Sequence, residues 1–282
     1  MSGPVVTLLG TGSPLPDPRR AGPATLVQAG GANFLVDCGR GVLMRLAAAG
    51  LFPVGLSAVL LTHLHSDHQT DLNDVITTRW AMSPVPAPLR IIGPVGTRRM
   101  VDRTLAMLED DIGWRIAHHD DLVAGPEVHV TEIEVDDVDS VVVWDEGGVR
   151  ILADATWHRP VERTLGYRVE HDGKAAVLAG DTIPCAGLDR LCRGAEVYVQ
   201  TVVRPDAIRL IPSPRLQDVL DYHSSVAMAG ETAARAGVGT LVLTHMVPPP
   251  PPGGEQVWID EAAAAFSGRV LLGDDLLRIE TD

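Results

Sequence analysis

Residues 62–68 read Thr-His-Leu-His-Ser-Asp-His, directly after the apolar run Ala58-Val59-Leu60-Leu61. Three imidazoles and a carboxylate within six residues, at the exit of an expected buried strand, are more polar groups than a plain core can satisfy. Neutral imidazole nitrogen and carboxylate oxygen form the donor set of zinc and similar borderline ions. His63 and His65 alternate around Leu64 and so project to one side of an extended segment. Asp67 and His68 follow as the chain turns and can reach a second position nearby. The pattern suits a centre with more than one ion.

Such a centre needs further ligands from distant parts of the chain, and candidates stand at the ends of expected strands. His158 follows Ile151–Trp157, Asp181 lies in Leu178-Ala179-Gly180-Asp181-Thr182, and His245 closes Leu241-Val242-Leu243-Thr244-His245. Singly, each would be an ordinary hydrogen-bonded polar residue. With the first cluster they make a candidate set of seven: His63, His65, Asp67, His68, His158, Asp181 and His245.

The elements that must position these groups come in two series. Strands are expected at Val5–Leu9, Ala24–Val27, Phe34–Asp37 and Ala58–Leu61, each bounded by Gly, Pro or Asp. Apolar spacing predicts helices at Val42–Ala49, Asp71–Arg79 and Thr97–Leu108. A second strand series runs through Val128–Val135, Val141–Trp144, Arg150–Ala153, Leu165–Val169, Ala175–Leu178 and Val197–Val202. A helix at Val226–Ala236, the strand Thr240–Leu243, a helix near Ile259–Phe266 and two short terminal strands complete the order. Two strand series with interspersed helices imply an α/β arrangement of two sheets packed face to face and covered by helices. No linker divides the chain, so residues 1–282 are expected to form a single domain.

Composition narrows the function classes. With 45% hydrophobic and 21% charged residues the chain is ordinary globular protein. It shows no basic, apolar leader and no apolar run near the ~20 residues of a membrane span, so a soluble cytoplasmic protein without membrane attachment is expected. Cys38, Cys185 and Cys192 form no C-x-x-C pair and are expected as free thiols. A net charge of −14 and 4% aromatic residues count against a nucleic-acid partner. Lys174 is the only lysine; arginine groups (Arg19-Arg20, Arg98-Arg99-Arg103, Arg204 and Arg209) supply the local positive charge and could form a phosphate track. Asp136-Asp137 with Asp139 reads as a solvated turn, and Pro248–Pro252 as a stiff loop at the pocket rim. Gly10-Thr11-Gly12 imitates a dinucleotide fingerprint, but Leu15 occupies the third glycine position, which excludes that reading.

The pattern His63-x-His65-x-Asp67-His68, then His158, Asp181 and His245, resembles the metallo-β-lactamase superfamily, and within it the ribonuclease Z and arylsulfatase-like branch. Leu9-Gly10-Thr11-Gly12-Ser13-Pro14, Leu35 through Gly41, Gly93-Pro94-Val95-Gly96, Gly166-Tyr167-Arg168 and Tyr222-His223-Ser224-Ser225 are similar to further family segments. The resemblance implies a four-layer αββα sandwich with two mixed sheets and two zinc ions, manganese or iron being possible. His63, His65 and His158 would hold one ion, Asp67, His68 and His245 the other, with Asp181 bridging. A metal-bridging hydroxide would attack a phosphodiester, Asp67 would orient it, and His223 would protonate the leaving group. The implied partner is a transfer RNA precursor, and the implied assembly a homodimer.

Three departures bear on that substrate. The long basic arm of ribonuclease Z has no room here, because only a short stretch turning at Asp172-Gly173 separates Tyr167 from Gly180. Thr201 stands where the family has a glutamate that orients the proton donor. Gln69-Thr70-Asp71 replaces Gly-Leu-Pro after His68. These changes leave the metal chemistry intact and make a transfer RNA substrate doubtful. They keep open a hydrolase of small sulfate, phosphate or carboxylic esters, or a catalytically weak metal-binding relative.

Overall fold

In the computed structural model, which describes residues 3–136 and 138–281, the apolar runs form two seven-stranded sheets. The strands in chain order are β1 (Val5–Gly10), β2 (Ala24–Ala29), β3 (Ala32–Val36), β4 (Ala58–Leu60), β5 (Leu89–Pro94) and β6 (Val128–Ile133). They continue as β7 (Val141–Glu146), β8 (Val149–His158), β9 (Val161–His171), β10 (Lys174–Leu178), β11 (Val197–Val203), β12 (Thr240–Val247), β13 (Arg269–Leu272) and β14 (Arg278–Glu280). The helices are α1 (Val42–Ala48), α2 (Ser66–Gln69), α3 (Leu72–Met82), α4 (Thr97–Met107) and α5 (Glu109–His118). After them come α6 (Ala186–Cys192), α7 (Pro205–Arg209), α8 (Pro214–Gln217), α9 (Val226–Ala236) and α10 (Glu255–Ala263).

One sheet has the order β14-β1-β2-β3-β4-β5-β6, the other β13-β12-β11-β10-β9-β8-β7. Each is mixed in the same way. Strands β14 to β3 and β7 to β10 pair antiparallel, while β3 to β6 and β10 to β13 pair parallel. Helices form the parallel crossovers, since such a connection cannot be made by a tight turn.

The period-2 alternation of each strand decides the layers. Phe34, Val36 and Leu60 point inward and join Ile151, Tyr167, Val199 and Val242 of the facing sheet in one buried core. Their neighbours Leu35, Val59 and Leu61 point outward against Val42 and Leu46 of α1 and Leu72, Val75 and Ile76 of α3. On the other side Tyr198, Leu241 and Leu243 pack under Leu188 and Leu191 of α6, Ala229 and Ala233 of α9, and Trp258 of α10. At about 1.5–3 kcal/mol for each fully buried large aliphatic side chain, these three cores bind the four layers together. This is the αββα sandwich expected from the resemblance.

Some elements differ from the sequence reading. Strand β5 was not anticipated, because Leu89–Ile92 is short and lies between a proline-rich stretch and Gly93-Pro94; it is nonetheless paired on both sides, by β4 and β6. Strands β8 and β9 extend well past the expected Arg150–Ala153 and Leu165–Val169. The polar residues that hid this extension have partners: Asp154 accepts from Ser140 and Arg190, and Thr156 pairs with Thr164 across the ladder. Helix α10 starts at Glu255 rather than Ile259. Asp136 and Asp139 are exposed, and Asp137 lies outside the described residues. All three cysteines are free, and among the described residues no helix is long and apolar enough to cross a membrane.

Candidate metal centre

Six of the seven candidate ligands follow or close strands and His245 lies near the end of β12, and local backbone features turn them toward one point. The chain leaves β4, passes His63 and enters α2, whose first turn carries Asp67 and His68 with His65 just before it. His158 is the last residue of β8. Asp181 follows β10 after Gly180, which has φ 65° and packs so close to Thr62 that an added Cβ would stand 2.7 Å from the threonine Cβ. Glycine is therefore required there, and its small size brings β10 up against the His63 segment. His245 has φ 51° and sits where the β11–β12 register slips between Thr201 and Val203. Such a bulge re-aims a side chain that would otherwise follow the ladder.

The donor atoms of His63, His65, His158 and Asp181 lie within 4.8 Å of one another, as do those of Asp67, His68 and His245. Asp181 stands between the groups. Its Oδ2 is 3.8 Å from His63 Nε2, 3.7 Å from His158 Nε2, 3.4 Å from His68 Nε2 and 3.8 Å from His245 Nε2. Asp67 Oδ2 is 3.2 Å from His245 Nε2 and 3.6 Å from His68 Nε2. His223 also reaches the cluster, with Nε2 3.2 Å from Asp181 Oδ2.

Whether cations fit can be judged from buried atoms left without partners. His68 Nε2, Asp181 Oδ1 and His245 Nδ1 are buried with no hydrogen-bond partner among the described residues, and of these His68 Nε2 faces both carboxylates of the centre. An unsatisfied buried polar group costs about 1–3 kcal/mol, so His68 Nε2, orphaned between two carboxylates, fits a positive ion that would use it. The opposite ring nitrogens are occupied, which directs the free ones inward. His63 Nδ1 is 3.0 Å from Thr62 Oγ1, His68 Nδ1 is 2.8 Å from Asp37 Oδ2, and His158 Nδ1 is 2.9 Å from the Tyr222 carbonyl.

Charge is distributed unevenly. Burial holds His63 and His65 below the usual histidine range and His158 down to about 4, so these three are neutral, as ligands must be. Burial also opposes charge on His68 and His245, but Asp181, with Asp37 for the first and Asp67 for the second, outweighs it and raises both. Burial works against ionised Asp181 as well, yet His245 and His68 prevail and hold its carboxyl well below the ordinary range. Asp67 is lowered against burial by its hydrogen bond with His245.

Two features were not legible beforehand. Asp37 directly follows β3 with φ 63° and accepts from Thr62 N, Thr62 Oγ1 and His68 Nδ1, each at 2.8 Å. Its only signal was a carboxylate closing an apolar strand. Thr201 does not touch His223: its hydroxyl donates to the Gly180 carbonyl at 3.0 Å. The imidazole is held instead by the Val219 carbonyl, 3.0 Å from Nδ1. A backbone acceptor leaves no side-chain motif to read.

Residues 32–246 match the family model described as "Beta-lactamase superfamily domain". The chain is 60% identical to "Ribonuclease Z" of Mycolicibacterium paratuberculosis, with 98% of each chain covered. It is 56% identical to "Ribonuclease Z" of Mycobacterium bovis, covering 98% of this chain and 97% of that one. Among solved structures, the metallo-beta-lactamase fold protein YhfI from Bacillus subtilis has a TM-score of 0.75 at 22% identity, covering 99% and 100% of the two chains. Human tRNase Z, short form, has a TM-score of 0.74 at 24% identity, covering 99% of each. These two likenesses speak to the fold, and the closer sequence relatives speak to the family. The chain is thus a metal-dependent hydrolase that belongs to the metallo-β-lactamase superfamily and, within it, to the ribonuclease Z family.

Proposed function

We propose that the protein is a two-metal phosphodiesterase that removes the 3′ trailer of transfer RNA precursors. The observation that carries this is 60% identity to a protein named Ribonuclease Z, aligned over 98% of both chains. It outweighs the acidic net charge and the missing arm, which count against RNA. His63, His65 and His158 would hold one ion, Asp67, His68 and His245 the second, and Asp181 would lie between. Zinc suits this nitrogen-rich set best; manganese and ferrous iron accept the same donors. Divalent ions held there supply Lewis acidity toward phosphoryl oxygens and lower the pKa of water toward ~7.

The protein's own groups do the rest. Asp67, whose carboxyl is held ionised, orients the attacking water and takes its proton. His223, fixed through Nδ1 by the Val219 carbonyl, presents Nε2 to the centre and donates a proton to the leaving 3′ oxygen. Because its orienting acceptor is a carbonyl, a glutamate at position 201 is not needed to aim the ring.

Metal-loaded protein should cut an end-labelled precursor just after the discriminator base. His223→Ala should lower kcat by about 10²–10⁴ with metal content unchanged. The tight Asp172-Gly173 turn between β9 and β10 favours one other reading, a hydrolase of small esters. Cleavage of nitrophenyl esters or sulfates without RNA cutting would replace the first reading by that one. Full metal occupancy without turnover on either panel would point to a non-catalytic relative.

A further inference from the structure

Beside the centre runs a strip of exposed arginines, of which Arg99, Arg103 and Arg159 form no ion pair with a carboxylate among the described residues. Among the described residues Arg99 and Arg103 have no hydrogen-bond or ion-pair partner, and Arg159 contacts only the ring of Trp157, 5.4 Å from its guanidinium carbon. Arg99 and Arg103 stand one turn apart on α4 and so share a face. They border a cavity of about 480 Å³ whose opposite wall includes Leu64, Gln69 and Thr70, in and just after the ligand segment. They also border a cavity of about 650 Å³ that reaches Arg98 and Arg163. Gly96 lines both: with φ 110° it passes so close to Leu64 that a Cβ there would lie 3.2 Å from Leu64 Cδ1. Arg163 in turn borders a third cavity, about 720 Å³, walled by Trp157 and Arg159 on either side of His158.

The three cavities thus share lining residues in series, and both ends of the series meet ligand-bearing segments. The acidic groups nearby have other direct partners or none, and Glu132 acts on the guanidinium groups of Arg98 and Arg99 only through space. Glu132 is taken by the backbone N–H groups of Gly96 and Arg98, at 2.7 and 3.0 Å, and Glu134 pairs with Arg163 at 3.6 Å. Asp102, Asp136 and Glu162 also line it, and none of them pairs with Arg99, Arg103 or Arg159.

We infer that this strip is the phosphate track of the RNA substrate, with Arg99, Arg103 and Arg159 gripping successive backbone phosphates and exposed Trp157 offering a face for base stacking. The inference rests on the ribonuclease reading and deepens it. Planar guanidinium forks suit phosphate oxygens, and aromatic faces accept any base. A chain of net charge −14 repels RNA over most of its surface, so binding must use a local cationic band. Between β9 and β10 the protein has only the turn Asp172-Gly173, so the grip must come from the body of the sandwich.

The test compares R99A/R103A with the unaltered protein in KM for a labelled transfer RNA precursor. Its companion is precursor binding by fluorescence anisotropy over a salt series, in metal-loaded protein also carrying His223→Ala. Loss of two phosphate contacts should weaken binding by about 10–100-fold and flatten the log–log salt slope by about 2. R99K/R103K should keep the slope, which a merely structural role would not predict. Hydrolysis of bis(p-nitrophenyl) phosphate reports on the centre itself: a loss there as large as the loss on RNA would overturn the inference. Precursor cleavage by the unaltered protein with the same KM and slope in R99A/R103A would overturn the inference and leave the ribonuclease reading standing. RNA binding that loses its slope in R99A/R103A, in a protein that cuts no precursor, would uphold the track and sink that reading. Absence of both cleavage and binding would sink both.

Discussion

The segment from β4 into α2 and the three strand ends of the second sheet build the same centre in different ways. The first places four donors within six residues, and one buried carboxylate, Asp37, secures both its start through Thr62 and its end through His68. The second delivers His158, Asp181 and His245 singly, each by its own backbone device or by strand length alone. Each candidate ion position draws on both: two imidazoles of one segment with His158, and the Asp67-His68 pair with His245. Local structure can assemble half a site for each ion, but only the packing of sheet on sheet closes either one.

The largest effect that could break this comparison should come from Asp181, the one carboxylate facing both groups. Asp181→Ala should lower kcat/KM for RNA by ~10³-fold or more, about 4 kcal/mol of transition-state stabilisation, and reduce bound metal below two ions per chain. Retention of both ions by mass spectrometry would show that the six other donors, His158 and His245 of the second sheet among them, hold both ions without the carboxylate between them.

A smaller effect separates the two ion positions. Asp181, with Asp37 for the first and Asp67 for the second, raises the pKa of His68 and His245 in the metal-free protein, so a metal must displace a proton from each, and affinity there falls about tenfold per unit of pH for each proton displaced. His63, His65 and His158 have lowered values, so the other position should hold metal as the pH falls toward about 4, the range of His158. Titrating metal content against pH should therefore show two steps. Asp37→Asn should weaken metal binding by about 10–100-fold at the Asp67-His68-His245 position and leave the other nearly unchanged. A single step, or equal loss at both, would remove the distinction.

The smallest effect concerns the second sheet alone. Thr201→Val removes the hydrogen bond to the Gly180 carbonyl and a longer one accepted from Gln200 Nε2, together worth about 1–2 kcal/mol of stability. Steady-state kinetics should change less than threefold, because the side chain does not touch His223. A drop beyond tenfold would mean that Thr201 governs the proton donor after all.

How far the sequence could be read follows from the same contrast. Chemistry written in contiguous residues, such as His63 to His68, is visible because residue type and spacing are the signal. Isolated residues at strand ends, such as His158 and Asp181, were visible only once that cluster asked for partners. Strand β5 was masked by its Gly-Pro end, and the ends of β8 and β9 by Asp154 and Thr156, whose polar side chains find partners that periodicity does not display. Asp37 resembled a mere strand terminator, and the Val219 carbonyl has no side chain to notice.

The sequence alone determined the donor types, the strand series and the layered class, because alternating apolarity and ligand chemistry are properties of residue order. Only the tertiary structure decided that seven donors from four strands meet in two groups whose donor atoms lie within 4.8 Å of one another, which residues aim them, and where unpaired arginines line the approach. The reason is physical: convergence of distant segments depends on sheet packing, a glycine-sized gap at Gly180 and a bulge at His245, and none of these is encoded in any one stretch of chain.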